Sequence, residues 1–139
     1  MSEDSTTPDP VERTRLAFEA VNQRDIDAVM GFFAADAVFQ GRMAGELYEG
    51  QAAIRRFLED WFGSFAEVRY GVEELAVLDA VVLVVVNQEG RPVGADGQVH
   101  QREGWGICWS ADGLIVRLTV HTDIGEARAV AEQLAESSG

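Results

Sequence analysis

Apolar residues in the first half of the chain recur every three to four positions, which is the period of an amphipathic helix. One such segment follows Asp9 and ends near Asn22, and a second follows Asp25 and runs through Phe33. Aspartate side chains accept hydrogen bonds from the free amides of a helix start, so both aspartates fit capping positions. A third helix is predicted after the loop 41–50, with one apolar stripe made of Ile54, Phe57, Leu58, Trp61 and Phe62.

The second half of the chain changes to strand patterning, with apolar runs and alternating positions separated by turn residues. A turn and a short strand at 36–39 precede this region, and Asp123 caps a last helix after it. The four strands predicted in the second half lie at 68–78, 81–88, 98–110 and 114–122.

Helices followed by consecutive antiparallel strands are typical of an α+β fold rather than of repeated βαβ units. We therefore predict a curved antiparallel sheet wrapped over three N-terminal helices, a cone-like α+β barrel, with a C-terminal helix. Residues 1–8 are polar and acidic, and we expect them to form a disordered tail. At 139 residues the remainder, 9–139, fits a single domain with one hydrophobic core.

The central strands are apolar on both faces. Residues 81–86 are all valine or leucine, and Trp105, Ile107 and Trp109 alternate on one face of the next strand. A sheet that is covered on only one side should show one polar face, so the outer face needs a cover. A homodimer formed through the outer sheet face would supply it, and the alternative is that the C-terminal helix does.

The chain carries 24 acidic and 11 basic residues, for a net charge of −13. A negative surface repels phosphate backbones and anionic lipids, so we expect neither a nucleic-acid partner nor a membrane partner. The N-terminus is acidic and lacks the apolar segment of a secretory signal, which favours a cytoplasmic location. Cys108 is the single cysteine, which excludes an internal disulfide, and the two histidines are far apart. We expect no metal and no cofactor.

Four strings in order resemble the SnoaL-like branch of the nuclear-transport-factor-2-like superfamily. They are FEAVNQRD at 18–25, FAADAVF at 33–39, YEGQAAI at 48–54 and WSADGLIVRL at 109–118. The resemblance spans about residues 10 to 135. It implies a conical apolar cavity between helices and sheet that holds one or two ionisable groups. Members with this fold include ketosteroid isomerase, limonene epoxide hydrolase, scytalone dehydratase, polyketide cyclases and non-catalytic binding modules.

The acids and bases of those enzymes are missing at the positions that match by eye. Steroid isomerases would have a carboxylate at Gly41, a tyrosine at Ala17 and a second acid near Trp105. Epoxide hydrolases and aldol-type cyclases would have an aspartate at Val120, and the cyclases would have polar residues near Gly104 and Gly106. Without a carboxylate there, the proton-abstraction mechanisms of the family have no base.

Two residues remain as acid–base candidates, His100 and Glu103, which lie on opposite faces of a regular strand. The alternative is that His100 is exposed to solvent and that Glu103 pairs with Arg102, Arg117 or a second chain. By the resemblance, the cavity is lined by an apolar wall, by a thiol and by polar groups at its mouth. The predicted ligand-binding residues are Phe18, Phe39, Gln40, Tyr48, Phe57, Trp61, Asn87, Cys108 and Val120.

Two functions follow from these residues. The first is a small-molecule-binding domain with an apolar cavity for a small hydrophobic ligand, without the usual catalytic acid of the family. The alternative is a cofactor-free cyclase, isomerase or lyase that acts on a hydrophobic cyclic or polyketide-like substrate. It would use His100 or Glu103 as the base and Tyr48 as a hydrogen-bond donor to a carbonyl.

Overall fold

A computed structural model describes residues 9–42 and 45–138 of the chain, so the predicted tail at 1–8 lies outside the described residues. The helices of this part are α1 (Pro10–Asn22), α2 (Ile26–Met30), α3 (Gln51–Gly63) and α4 (Ile124–Ser138). Its strands are β1 (Phe33–Gln40), β2 (Leu47–Glu49), β3 (Phe65–Leu78), β4 (Val81–Pro92), β5 (Val99–Trp109) and β6 (Ile115–His121).

The strands form one curved open sheet in the order β2-β1-β6-β5-β4-β3. The four long strands β3 to β6 pair as an antiparallel meander, while β1 runs parallel to β6 and antiparallel to β2. Helices α1 to α3 pack on the inner face of this sheet and α4 packs on the outer face. The predicted α+β fold class is thereby confirmed.

Aspartate caps begin three of the helices, as the sequence predicts. Asp9 Oδ1 accepts a hydrogen bond from the Val11 amide at 3.0 Å, and Asp25 Oδ1 accepts one from the Ala28 amide at 3.1 Å. Asp123 Oδ1 accepts one from the Glu126 amide at 3.0 Å. These bonds satisfy amides that have no partner inside the helix, which fixes where each helix begins.

Three predicted boundaries were wrong. Helix α2 ends at Met30 rather than at Phe33, because Phe33 pairs with Ile115 of β6 and begins β1. The loop 41–50 contains the short strand β2. Strand β4 continues to Pro92 instead of turning at Gly90, because its end pairs with the start of β3. In each case the boundary is set by hydrogen-bonded pairing with another strand. Sequence periodicity carries no information on such pairing, and the local sequence pattern is overridden.

The two apolar faces of β4 have different covers. Val82, Val84 and Val86 belong to the main core under α1 and α3, and Val81 and Leu83 pack against α4. The small residues Ala127, Ala131 and Ala135 let α4 lie close to the sheet. The C-terminal helix therefore covers the centre of the outer face, which was the alternative to a second copy. A homodimer stays a prediction, and this part of the face is not available to it.

Candidate functional site

An apolar pocket of about 50 Å³ lies between the N-terminal helices and the inner face of the sheet. Helix α1 contributes Phe18, helix α3 contributes Phe57 and Trp61, and the sheet contributes Phe39 and Val120. All five were predicted as ligand-binding residues from the resemblance. Their shared position follows from helical and strand periodicity, which places one apolar face of each element toward the same core. The pocket lies where these apolar faces converge.

Tyr48 stands beside this wall. Its ring stacks on Phe57 at a centroid distance of 4.6 Å and lies 6.3 Å from the centroid of Phe39. The side chain is half-buried, on the short strand β2. Burial and the carboxylates of Glu46 and Asp60 raise the pKa of its phenol. Tyr48 therefore keeps its proton at neutral pH and extends the aromatic wall of the pocket outward.

Three of the predicted ligand-binding residues lie on the other face of the sheet. Gln40 accepts a hydrogen bond from Arg117 at 3.3 Å, and Cys108 packs in the cluster under α4, where burial raises the pKa of its thiol. Asn87 borders a separate cleft with Arg69 and Glu89. The cause is strand alternation, since neighbouring side chains point to opposite faces. The structure does not bring these three residues together with the pocket.

The two acid–base candidates also lie on opposite faces of β5, as a regular strand requires. The His100 side chain is 60% exposed at the start of the strand, 4.0 Å from the carboxylate of Glu89. Glu103 faces inward and is completely buried. Only the second of these residues is near the pocket, because the parity of β5 puts it on the same face as Trp105 and Ile107.

The Glu103 carboxylate is surrounded by hydrogen-bond donors. Its Oε2 forms an ion pair with Arg42 and accepts a bond from Gln101 Nε2 at 2.9 Å. Its Oε1 accepts a bond from Trp105 Nε1 at 3.0 Å. The predicted partner Arg102 points to the opposite face and pairs with Glu73 at 2.8 Å. Three donors stabilise a buried carboxylate that would otherwise be very costly to desolvate.

Arg42 connects this carboxylate to the pocket. Its guanidinium lies 4.2 Å from the ring centroid of Trp61, donates to Gln88 Oε1 at 3.1 Å, and lines the pocket. Its side chain is 17% exposed. Stacking on an indole and pairing with a carboxylate both favour arginine over lysine, because the guanidinium is flat and carries five N–H groups.

Tyr70 completes the polar end of the pocket. Its hydroxyl oxygen accepts a hydrogen bond from Trp61 Nε1 at 2.8 Å, and its side chain is 4% exposed. Burial raises the pKa of Tyr70 to about 12, although the nearby Arg42 opposes this shift. The phenol is therefore protonated at neutral pH and available as a donor.

Sequence reasoning missed four residues of this polar end: Arg42, Tyr70, Gln88 and Gln101. Strand parity could have found one of them, since Gln101 shares the face of Glu103. Arg42 lies in a loop without periodicity, so no local pattern predicts where its side chain goes. Its role depends on the tertiary contact with β5.

The glycines of β5 turn away from the pocket. An added Cβ on Gly104 would lie 2.4 Å from Ala127 Cβ in α4, and one on Gly106 would lie 2.9 Å from Thr119 Oγ1. The polar residues that aldol-type cyclases would place near these positions therefore have no counterpart there on the pocket side. Val120 does face the pocket, and its neighbour His121 points outward, with Nδ1 2.9 Å from Glu126 Oε1.

A family model described as a SnoaL-like domain matches residues 14–118, which is well over half of the chain. The chain belongs to the SnoaL-like domain family. The matched region of this SnoaL-like domain begins in α1 and ends in β6, so it includes every residue of the pocket wall named above except Val120. No curated protein sequence matches the chain.

Solved structures share the SnoaL-like architecture. SalBIII, an epoxide hydrolase/cyclase-like enzyme with a role in pyran ring formation in the polyether salinomycin, is 22% identical with a TM-score of 0.73, over 81% of this chain and 88% of its own. A putative SnoaL-like polyketide cyclase from Shewanella denitrificans OS-217 is 14% identical with a TM-score of 0.71, over 90% and 97%. A Mycobacterium tuberculosis protein in complex with estradiol-17β-hemisuccinate is 15% identical with a TM-score of 0.71, over 81% and 93%. At these identities the likeness shows the fold.

Proposed function

We propose that this SnoaL-like domain binds a small hydrophobic molecule in the pocket between α1, α3 and the inner face of the sheet. The observation that carries the proposal is the pocket itself: an aromatic and aliphatic wall with hydrogen-bonding groups at one end only. Such a combination is typical of small-molecule sites, where apolar contact supplies affinity and a few polar groups fix orientation. The steroid ester bound by the Mycobacterium tuberculosis protein supports the same class of ligand.

We further propose that the domain binds its ligand without acid–base chemistry. A general base needs a lone pair directed at the proton that it removes. Glu103 instead directs both oxygens at donors of its own chain, and the pocket is lined by Arg42 rather than by this carboxylate. His100 is exposed on the other face of the sheet.

The alternative is a cofactor-free cyclase, isomerase or lyase that acts on a hydrophobic cyclic or polyketide-like substrate. One observation favours it: a completely buried carboxylate lies beside an apolar pocket, which is an arrangement that enzymes use to store an acid or a base. The likeness to SalBIII supports the same alternative. If the wild type cyclises a linear polyketide and Glu103→Gln does not, the alternative is correct.

The binding proposal is tested with 2-ethylnaphthalene, a hydrocarbon that needs only the apolar wall. Trp61 lies in that wall, so binding should quench tryptophan fluorescence. Val120→Phe fills the pocket, and we expect it to weaken binding about tenfold or more, which corresponds to about 1.4 kcal/mol. Equal affinity in wild type and variant would contradict the proposal.

The matched control is Val116→Phe, the same substitution four residues away on the same strand, where the side chain is 39% exposed. It should leave the affinity unchanged. Because added bulk in a core also costs about 1–3 kcal/mol of stability, circular dichroism must show that Val120→Phe is folded at the assay temperature.

A cytoplasmic location and a homodimer are further parts of the proposal. Within the described residues, no helix is long and apolar enough to cross a membrane.

A further inference from the structure

The polar groups that reach the pocket are donors of hydrogen bonds. Arg42 has N–H groups and no acceptor, and Tyr70 has an oxygen that already accepts from Trp61, which leaves its proton. The Glu103 carboxylate and the amide oxygen of Gln88, two acceptors of this cluster, accept bonds from Arg42, and Glu103, Gln88 and Gln101 do not line the pocket. A ligand that fills the apolar part of the pocket is therefore most complementary to its polar end when it carries an oxygen that accepts hydrogen bonds.

Glu103 determines whether the site favours a neutral or a negatively charged ligand oxygen. Arg42 is the charged residue among the groups that line the pocket, and by itself it would attract an anion. Its positive charge is already opposed by a carboxylate that is completely buried behind it. A ligand carboxylate would thus place a second negative charge near a cation that is only 17% exposed and already paired with a completely buried carboxylate. The free-energy cost of desolvating that second charge would be offset by little attraction, because Arg42 is already paired with Glu103.

We propose that Glu103 sets the charge selectivity of the pocket: by compensating Arg42, it makes the site accept a neutral oxygen acceptor, such as a ketone or ester carbonyl, in preference to a carboxylate. The inference rests on the proposed binding function and adds the chemical class of the ligand. It gives Glu103 a positioning and charge-compensating role, distinct from that of a base.

Three naphthalenes of nearly the same size test the selectivity in the wild-type protein. They are 2-ethylnaphthalene, 2-acetonaphthone and 2-naphthoate, and the last two differ by replacement of a methyl group with a charged oxygen. At neutral pH, calorimetry should show that the ketone binds about tenfold more tightly than either of the other two compounds. The hydrocarbon lacks the hydrogen bond that the carbonyl accepts, and the carboxylate brings a charge that nothing in the pocket compensates. Tighter binding of 2-naphthoate than of the ketone would overturn the inference.

Glu103→Gln tests the residue itself. Glutamine keeps the shape and an acceptor oxygen for Arg42 but removes the compensating charge, so the ratio of the naphthoate affinity to the ketone affinity should rise about tenfold or more. Glu89→Gln is the matched control, because Glu89 is 61% exposed on the outer face and opposite to the pocket. An unchanged ratio in Glu103→Gln, or the same rise in the control, would overturn the inference.

A buried cation left without its partner can prevent folding, which circular dichroism would reveal. In that case the double variant Arg42→Gln, Glu103→Gln removes both charges and leaves the cluster neutral, as in the wild type. It should keep the preference for ketone over carboxylate within about threefold while binding the ketone more weakly. A reversed preference would contradict the inference.

The two proposals fail in different ways. If the three compounds bind the wild type equally and Val120→Phe weakens all of them, the binding function stands and the charge selectivity is wrong. If none of the three binds, both proposals are wrong.

Discussion

At the residue scale, strand parity separates the side chains of the site from those that only lie near it in sequence. Glu103 and Trp105 face the core from β5, whereas His100 and Gly104 face the other way. A shift of one residue would exchange these sets, because the side-chain period of a strand is two. The pairing of β5 with both β4 and β6 fixes the parity, and with it the identity of the buried carboxylate.

Tyr70 offers a residue-scale prediction, because the chain has two tyrosines and burial raises the pKa of this one to about 12. The pKa of this phenol is 10.0 in the unfolded chain and about 12 in the folded protein, so between these pH values the folded protein retains a proton that the unfolded chain releases. Stability should therefore be unaffected by this group below pH 10.0 and fall by up to about 1.4 kcal/mol per pH unit above it.

Tyr70→Phe should remove the contribution of Tyr70 to that fall and leave only the part due to Tyr48, as measured by denaturant unfolding at a series of alkaline pH values. The near-ultraviolet absorbance of phenolate provides a second measurement, since only Tyr48 remains to titrate in the variant. The prediction is wrong if wild type and variant lose stability in parallel as the pH rises.

At the element scale, contact between α4 and the sheet depends on small residues on both sides. Gly104 lies under Ala127, and Gly106 lies beside Thr119. The sequence marked these glycines as departures from the polar residues of related cyclases. The structure gives the physical reasons: a side chain at Gly104 would push α4 away, and one at Gly106 would meet Thr119 of β6. The same helix then covers Val81 and Leu83, the outward half of the apolar β4 run.

Gly104→Ala should therefore destabilise the protein by about 1–3 kcal/mol, the usual cost of added bulk in a packed interior. The new Cβ would lie 2.4 Å from Ala127 Cβ, so the helix or the strand must shift. Chemical unfolding measures the loss.

Gly97→Ala is the control, because a Cβ there meets nothing within 4 Å and the residue is exposed. Its free energy of unfolding should stay within about 0.5 kcal/mol of the wild type, as for most surface substitutions. Equal effects of the two substitutions would mean that the close approach of α4 is not what Gly104 permits.

At the scale of the whole molecule, the sheet supports two cores. The inner face and helices α1 to α3 enclose the pocket, and the outer face carries α4. Because α4 occupies the centre of the outer face, the predicted homodimer has only the remainder of that face to use.

Sedimentation velocity tests the predicted homodimer directly. A dimer should sediment with twice the chain mass of 15.2 kDa, and its fraction should fall on dilution through the dissociation constant. A mass of 15.2 kDa at all concentrations would mean that the protein is a monomer and that α4 alone covers the apolar outer face.

Local sequence signals were sufficient for the fold class and for all the long elements, but not for the short strand β2. Helical periodicity, aspartate caps at Asp9, Asp25 and Asp123, and the change to strand patterning are local signals, and together they were enough to predict the α+β fold. Alternation also separated Glu103 from His100. The remaining features depend on contacts between distant segments: where β1 begins and ends, where β4 ends, what covers the outer face, and the meeting of Arg42, Tyr70 and Glu103. Periodicity describes one element at a time, whereas a loop arginine reaches its carboxylate only after the sheet has formed.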